Sequence, residues 1–291
     1  MTATTTVPNP APARGLPARR GPSLPRVVAA EWSKLTSLRS PAAIGVVTVA
    51  VSGVLTWLSA NASSTDPGFD PMGSLGTGLP LAQVGVLVLG VLVGTGEFST
   101  GTFRTTFTAV PRRLPVLVAQ LVVTAAAALV VSVLAVAAAV VGLLPAAGSR
   151  GMTLDLAGGR TPQLLAGMTV QLVAMALLGL ALGALLRRTV PAVVAAVVLV
   201  LVLPVALMLA SDPGIGGAPP VGVAYTEPEV TAVGTVTAVL PGGAVTHLVP
   251  GAGGFDGAPD LGVGGGVAVL AAWVLVPLGV AAVRLRARDL A

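Results

Sequence analysis

The chain has 291 residues, of which 54% are hydrophobic and only 9% are charged. So few charged side chains leave little material for a water-soluble domain, and the absence of cysteine excludes disulfides, thiolate metal sites and cysteine nucleophiles. The formal net charge is +5, but the arginines lie scattered at the ends of apolar segments rather than on one basic face, so no nucleic-acid partner is predicted.

The first 40 residues divide into two segments. Residues 1–23 are rich in Ala, Pro, Thr and Arg without apolar periodicity, which predicts a disordered cytoplasmic tail. Residues 24–40 predict an interfacial amphipathic helix that binds membrane lipids; an inward extension of the first span is the alternative. Its apolar side chains at helical spacing are Val28, Trp32, Leu35 and Leu38. The interfacial residues are Glu31, Trp32, Lys34, Leu35 and Arg39, with Trp32 at the lipid headgroups.

Six apolar segments follow, and most are about as long as a helix must be to cross the ~30 Å hydrocarbon core of a bilayer. None contains Asp, Glu, Lys or Arg. Because lipid cannot satisfy backbone polar groups, each crossing must be helical. The sequence therefore predicts an all-α, polytopic membrane protein with one transmembrane domain over residues 41–283. The predicted spans are residues 41–60, 79–95, 114–144, 164–186, 190–210 and 261–283.

The basic residues predict the orientation of these spans. Of the 16 Lys and Arg residues, all but Arg150 and Arg160 precede the first span or follow the second, fourth or sixth. The positive-inside rule therefore places both termini, including residues 284–291, in the cytoplasm of a multi-pass protein of the cell membrane. Most of the acidic residues fall on the opposite side, which agrees with this orientation.

The longest predicted outer segment covers residues 211–260. It contains two moderately apolar runs, residues 230–240 and 244–249, separated by Pro241-Gly242-Gly243. Each run is too short to span a bilayer. We predict short outer-loop helices that dip into the outer leaflet or cap the bundle.

The sequence offers little chemistry of its own. Lys34 is the only lysine and no glycine lies near it, so a Walker P-loop is absent and the chain is not expected to be an enzyme. The single histidine, His247, has no second histidine or nucleophile motif beside it and is interpreted as structural. We expect no bound cofactor or metal. A polytopic membrane protein without energy-supplying groups of its own would take energy from a partner.

Small and amide side chains inside the spans suggest how the helices pack. Gly90 and Gly94, and likewise Gly179 and Gly183, have the small-xxx-small spacing that permits close contact, although such pairs also arise by chance among 37 glycines. The largest polar groups within the spans are interpreted as interhelical hydrogen-bonding groups, with a mildly polar substrate path as the alternative. They are Gln83, Gln120 and Gln171.

The predicted cytoplasmic loop between the second and third spans has unusual composition. Phe103 and Phe107 are four residues apart, hence on one face of a short helix that Pro111 ends. Exposed aromatic residues often mark a protein contact; folding back onto the bilayer surface is the alternative. The candidate partner-binding residues are Glu97, Phe98, Gly101, Thr102, Phe103, Arg104, Phe107, Pro111, Arg112 and Arg113.

Two segments carry a resemblance to a known family. Residues 31–40, Glu-Trp-Ser-Lys-Leu-Thr-Ser-Leu-Arg-Ser, and residues 97–113, with Glu-Phe-Ser-Thr-Gly-Thr-Phe-Arg and Pro-Arg-Arg, resemble permease subunits of ABC-2 type ABC transporters in their actinobacterial branch. The family's loop has Tyr where this chain has Phe98. The six-span layout and the large last outer loop are similar as well.

The resemblance implies a function and partners. The loop would be a cytoplasmic coupling helix that docks into a separate ABC ATP-binding subunit, which would bind ATP and Mg²⁺. Glu97 and Arg104 would brace the loop or face that subunit. A second permease chain would pair with the first as a homodimer or heterodimer, around an export path for an unspecified substrate. A non-pumping membrane scaffold or immunity protein is the alternative.

Overall fold

The computed structural model describes residues 23–99, 113–211, 230–248 and 257–287. The predicted tail, apart from Ser23, and the last four residues of the C-terminus lie outside these ranges. Within them the predicted all-α fold is confirmed: no strand is found, and six helices are long and apolar enough to cross a membrane. The chain is therefore described as a polytopic membrane protein.

The observed helices begin and end close to the predicted limits. They are α1 (Leu24–Ser37), α2 (Arg39–Ser63), α3 (Leu79–Ser99), α4 (Arg113–Ser149), α5 (Thr161–Leu186), α6 (Thr189–Val197), α7 (Leu203–Ser211), α8 (Ala232–Val239), α9 (Val245–Leu248) and α10 (Gly262–Ala287). A 3₁₀ helix, Pro71–Gly78, leads into α3, and a π-helical turn, Val198–Val202, joins α6 to α7. The six spans are α2, α3, α4, α5, the continuous α6–α7 and α10.

The predicted interfacial helix is shorter than expected. The sequence predicted one helix over residues 24–40, but α1 ends at Ser37 and Arg39 begins α2. Leu38 separates the two helices with extended backbone angles (φ −91°, ψ 136°). Pro41 then falls in the first turn of α2, where its missing N–H removes no intrahelical bond.

Four of the spans pack as two parallel pairs. In α2 and α4, Gly45 lies beside Val131 and Gly53 beside Ala138, so the two helices run in the same direction. Helices α3 and α5 run together in the opposite direction and form the most extensive helix pair, with α10 against α5. We call the end of the bundle at which α1 lies the α1 end, and the opposite end the far end.

Helix α4 is too long for a bilayer alone. Its 37 residues measure about 55 Å at 1.5 Å per residue. Because Gly45 of α2 is level with Val131, the first turns of α4 extend past the start of α2 at the α1 end. There Val116 and Ala119 pack against Val27 of α1. The extra length of α4 gives α1 a protein surface to pack on.

The first span turns its large apolar side chains outward and its small or hydroxyl-bearing ones inward, the reverse of a helix in a soluble protein. Its buried residues are small or carry hydroxyl groups, whereas large apolar residues such as Val46 and Trp57 point outward. The hydroxyl of Ser52 donates a hydrogen bond to the carbonyl oxygen of Ala135 in α4, at 2.9 Å. Close backbone approach and hydroxyl groups between helices are typical of packing within lipid.

The four spaced glycines lie in the contact between α3 and α5. A Cβ at Gly90 would be 2.8 Å from the amide nitrogen of Leu180, and one at Gly183 would be 3.2 Å from the Cα of Gly94. A Cβ at Gly179 would overlap the backbone of Leu87 and press against that of Val91. The packing interpretation of these glycines is confirmed, because no side chain fits where the two backbones meet.

Arg150 joins the far end of α4 to the segment that follows α2. Its guanidinium donates hydrogen bonds to the carbonyl oxygens of Ser64 and Asp66 and lies 5.9 Å from the centre of the Phe69 ring. Two backbone carbonyls and an aromatic face are thus fixed by a single side chain.

We expect Arg150→Ala to lower the free energy of unfolding by about 1–2 kcal/mol, since both carbonyl hydrogen bonds and the cation–π contact are lost. Thermal unfolding in detergent measures the change. Arg160→Ala is the matched control, because the Arg160 side chain makes no hydrogen bond to the described residues and lies at the same end. Equal stability of the two variants would contradict the assigned role of Arg150.

Candidate functional site

The far end holds two short helices that form a re-entrant hairpin, residues 231–248. Helices α8 and α9 are joined by a turn at Pro241-Gly242-Gly243. At its base, the backbone N–H of Thr231 donates to the carbonyl oxygen of Gly257, at 2.9 Å. The short helices predicted for this segment are confirmed.

The tip of the re-entrant hairpin lies inside the bundle. Gln171 of α5 donates from Nε2 to the carbonyl oxygen of Pro241 at 3.0 Å, and Trp273 of α10 donates from Nε1 to that of Val239 at 2.8 Å. Gln171 is ten residues after Thr161, so the tip is about 15 Å along α5 from its first residue. Ala244, next to the turn, is fully buried.

These side-chain bonds explain how non-helical backbone exists at this depth. An unpaired carbonyl inside a bilayer costs several kcal/mol, so irregular backbone needs partners from the protein. Within the turn, the amides of Gly243 and Ala244 both donate to the carbonyl of Leu240 at 3.0 Å. Gln171 and Trp273 supply the donors for the two carbonyls that flank this point. We call these two side chains the hairpin clamps.

The three glutamines of the spans do not form one site. Gln83 of α3 accepts a long hydrogen bond from Nε2 of Gln171, at 3.5 Å, and both side chains are buried. The two amides thus join α3 to α5. Gln120 is seven residues from the start of α4, near the α1 end, and is separate from them. Oε1 of Gln171 has no hydrogen-bond partner among the described residues.

The fifth span contacts the tip through its π-helical turn. A Cβ at Gly242 would be 2.9 Å from the carbonyl oxygen of Val200, so only glycine allows this approach. Pro204 follows the π turn, and Pro277 lies in α10 four residues after Trp273. The tip is therefore packed between two spans that each carry an internal proline.

The only histidine lies at the far end, against the start of α10. Its side chain is buried, with Nδ1 4.0 Å from Oδ1 of Asp260, and its Nε2 has no partner among the described residues. Asp260 accepts the backbone N–H of Gly262 at 2.8 Å at the start of α10. Across the described ranges, no three His, Cys, Asp or Glu side chains are grouped as metal ligands would be.

At the α1 end, α1 packs on the bundle by a face that the sequence did not predict. Glu31 was placed among the interfacial residues, yet its side chain is only 8% exposed, with Lys34 Nζ 2.5 Å from its Oε1. Trp32 remains 43% exposed, and Leu35 is half-buried. The enclosure of Glu31 follows from the length of α4, which covers the Val27 side of α1.

The candidate coupling loop lies mostly outside the described residues. Gly101, Thr102, Phe103, Arg104, Phe107, Pro111 and Arg112 belong to the stretch that is not described. The backbones of Glu97 and Phe98 are part of α3, and that of Arg113 begins α4. Since both of these helix ends are at the α1 end, the loop connects α3 to α4 there.

Basic side chains of the described ranges gather at the same end. Apart from Arg150 and Arg160, every Lys and Arg whose side chain the structure describes belongs to a segment at the α1 end. They are Arg26, Lys34, Arg39, Arg187, Arg188 and Arg284. The distribution separates the two ends of the bundle by charge.

Two apolar grooves flank α10. One, of about 400 Å³, lies between α4, α5 and α10 and includes Leu129, Val173 and Val274. The other, of about 510 Å³, lies beside Val239 and Trp273. Their linings are almost entirely apolar, so they provide no group that would select one substrate headgroup over another.

No protein-family model matches the chain, and a search of curated proteins finds no similar sequence. The function is therefore inferred from the residues and their arrangement.

Proposed function

We propose that the chain is the transmembrane subunit of an ATP-driven exporter of the ABC-2 type, with ATP hydrolysis in a separate subunit. The observation that carries the proposal is the loop of residues 97–113, which combines an aromatic pair at helical spacing with a motif that resembles the family's coupling loop. It joins α3 to α4 at the end where basic residues gather. Under the positive-inside rule that end is cytoplasmic, where an ATPase would meet it.

The helix contacts suggest how an ATPase bound at the loop would move the spans. The loop is continuous with α3, whose glycines lock it against α5, and with α4, whose first turns hold α1 through Val116 and Ala119. A partner that binds the loop more tightly in one of two bundle arrangements shifts the population toward that arrangement. ATP and Mg²⁺ bind to the partner, and a second permease chain completes the path.

Copurification tests the proposal. The tagged chain is solubilised in mild detergent from its native membrane, and copurifying proteins are identified by mass spectrometry. We expect a soluble ATPase with a P-loop in about equimolar amount. Recovery of the chain alone, even after crosslinking, would contradict the exporter proposal and favour a non-pumping scaffold or immunity protein.

A further inference from the structure

We propose that the groove between α4, α5 and α10 is a binding site for one acyl chain of a membrane phospholipid from the leaflet at the far end. We call it the α4–α10 groove. Helix α5 forms its floor, and α4 and α10 form its two walls. Such a site requires only that the protein spans a bilayer, so it exists whether or not the protein couples to an ATPase.

The α4–α10 groove lies within the hydrocarbon layer and is closed at one end. On its floor, Val170 and Leu177 lie about 14 and 24 Å along α5 from its first residue. Toward the α1 end, one residue from each of the three helices joins a buried cluster of Leu117, Ala184 and Ala281. This cluster ends the groove. A ligand therefore enters from the far end or from the side that faces lipid.

The mouth of the groove at the far end is open. Leu275, Ala271 and Val267 lie on successive turns of α10 and line the groove. Gly264 continues this spacing one turn nearer the far end, and no atom lies within 4 Å of where its Cβ would be. Each leaflet fills about half of the ~30 Å hydrocarbon core. An acyl chain of the far-end leaflet that enters at the mouth therefore extends beside α5 toward the closed end.

The chemistry of the lining excludes water as the occupant. None of the lining residues is charged, and the one hydroxyl group among them, on Thr169, donates to the carbonyl oxygen of Leu165 at 2.9 Å. A buried water needs two to four polar partners, which this lining does not supply. An empty groove is also unfavourable, because its lining would lose dispersion contacts on one side. The occupant is therefore hydrocarbon.

The size of the groove selects an acyl chain over a helix of a second copy. A helix is about 10 Å in diameter, so the part of it that lay beside residues 170–177 would fill roughly 800 Å³. The groove holds about 400 Å³. A helix could therefore lie across the opening but could not enter to the floor. An acyl chain is narrow and flexible, and it can follow the groove along α5.

Native mass spectrometry of the purified full-length protein tests the site. The protein is delipidated in detergent and titrated with a phosphatidylcholine, and the dissociation constant of each successive lipid is obtained from the bound fractions. Ala271→Phe fills the groove, and Gly264→Phe blocks its mouth, where the added ring has open space. Ala50→Phe is the matched control, because Ala50 is exposed on α2 and is not part of the lining.

We expect the parent to bind its first phosphatidylcholine about 10-fold more tightly than those that follow, because only the first gains dispersion contacts on three sides. Ala271→Phe and Gly264→Phe should both lose this preference, and Ala50→Phe should keep it. Equal affinity for every lipid in the parent would overturn the proposal, and so would a preference that both groove variants retain. A two-copy species that only the groove variants lose would assign the groove to a second copy and would overturn the proposal as well.

Photolabelling in nanodiscs locates the bound chain. The lipid is a phosphatidylcholine with a diazirine near the end of one acyl chain, and labelled peptides are identified by mass spectrometry after illumination. We expect label on residues 170–177 of α5, which the Ala271→Phe variant should lose and the Ala50→Phe variant should keep. Absence of label from this stretch in the parent would contradict the site, whatever the affinities are.

Discussion

Gly90→Ala is expected to lower the free energy of unfolding by about 3 kcal/mol, the upper part of the range for overpacking. The added methyl group would overlap the carbonyl of Ala176 and the amide of Leu180, which are backbone atoms and cannot turn aside. Alanine is the better helix former by about 1 kcal/mol, so the cost arises wholly from the contact between α3 and α5. Thermal and denaturant unfolding in detergent measure it.

Gly279→Ala provides the matched control for Gly90→Ala. Gly279 lies in α10 with no atom within 4 Å of where its Cβ would be. The same substitution there should leave stability unchanged or raise it by up to about 1 kcal/mol through helix propensity. If Gly90→Ala is as stable as Gly279→Ala, the close contact of α3 with α5 is wrong.

The spans and their packing glycines could be predicted because their signals are local. Length and apolarity fix a crossing helix whatever its neighbours are, and the spacing of Gly90 and Gly94 marks one helix face. The helix that packs against that face could not be predicted from the spacing. The pairing with Gly179 and Gly183 depends on contacts between residues about ninety positions apart, which no spacing within α3 or α5 encodes.

The burial of Glu31 shows that apolar periodicity does not predict whether a helix face packs on lipid or on protein. The pattern of Val28, Trp32 and Leu35 correctly indicated a helix with an apolar face, but lipid and protein are equally apolar partners for such a face. The extension of α4 beyond the membrane decides that the Val27 side of α1 meets protein. A carboxylate next to that side is consequently enclosed.

The depth to which the re-entrant hairpin enters the bundle also could not be predicted from the sequence. The apolar runs at residues 230–240 and 244–249 predicted contact with the outer leaflet or the bundle without fixing how far the turn enters. One signal could have found a hairpin clamp: Trp273 lies eleven residues into α10, away from the interfacial position that Trp prefers, and an indole N–H within an apolar span needs an acceptor. Its acceptor, the carbonyl of Val239, belongs to the hairpin.

Phe103→Ala and Phe107→Ala are each expected to weaken binding of the partner ATPase by about 30-fold, the effect of losing a 2 kcal/mol aromatic hot spot. Arg104→Glu should weaken it as well, by reversing a charge next to Phe103 in the loop sequence. The dissociation constant is measured between the detergent-solubilised chain and the ATPase found by copurification. Unfolding midpoints equal to that of the parent would show that the loop variants leave the bundle intact.

Trp57→Ala is the control for loss of an aromatic side chain. Trp57 is 41% exposed on α2 in the far-end half of the bundle, so its removal should change the affinity by less than about 2-fold. Full-strength binding by all three loop variants would contradict docking through residues 97–113. The ATPase would then have to contact another part of the α1 end, where the turn with Arg187 and Arg188 between α5 and α6 is the next basic segment. Because α5 carries both the glycine contact with α3 and the clamp Gln171, a force applied at that turn would reach the far end through a single helix.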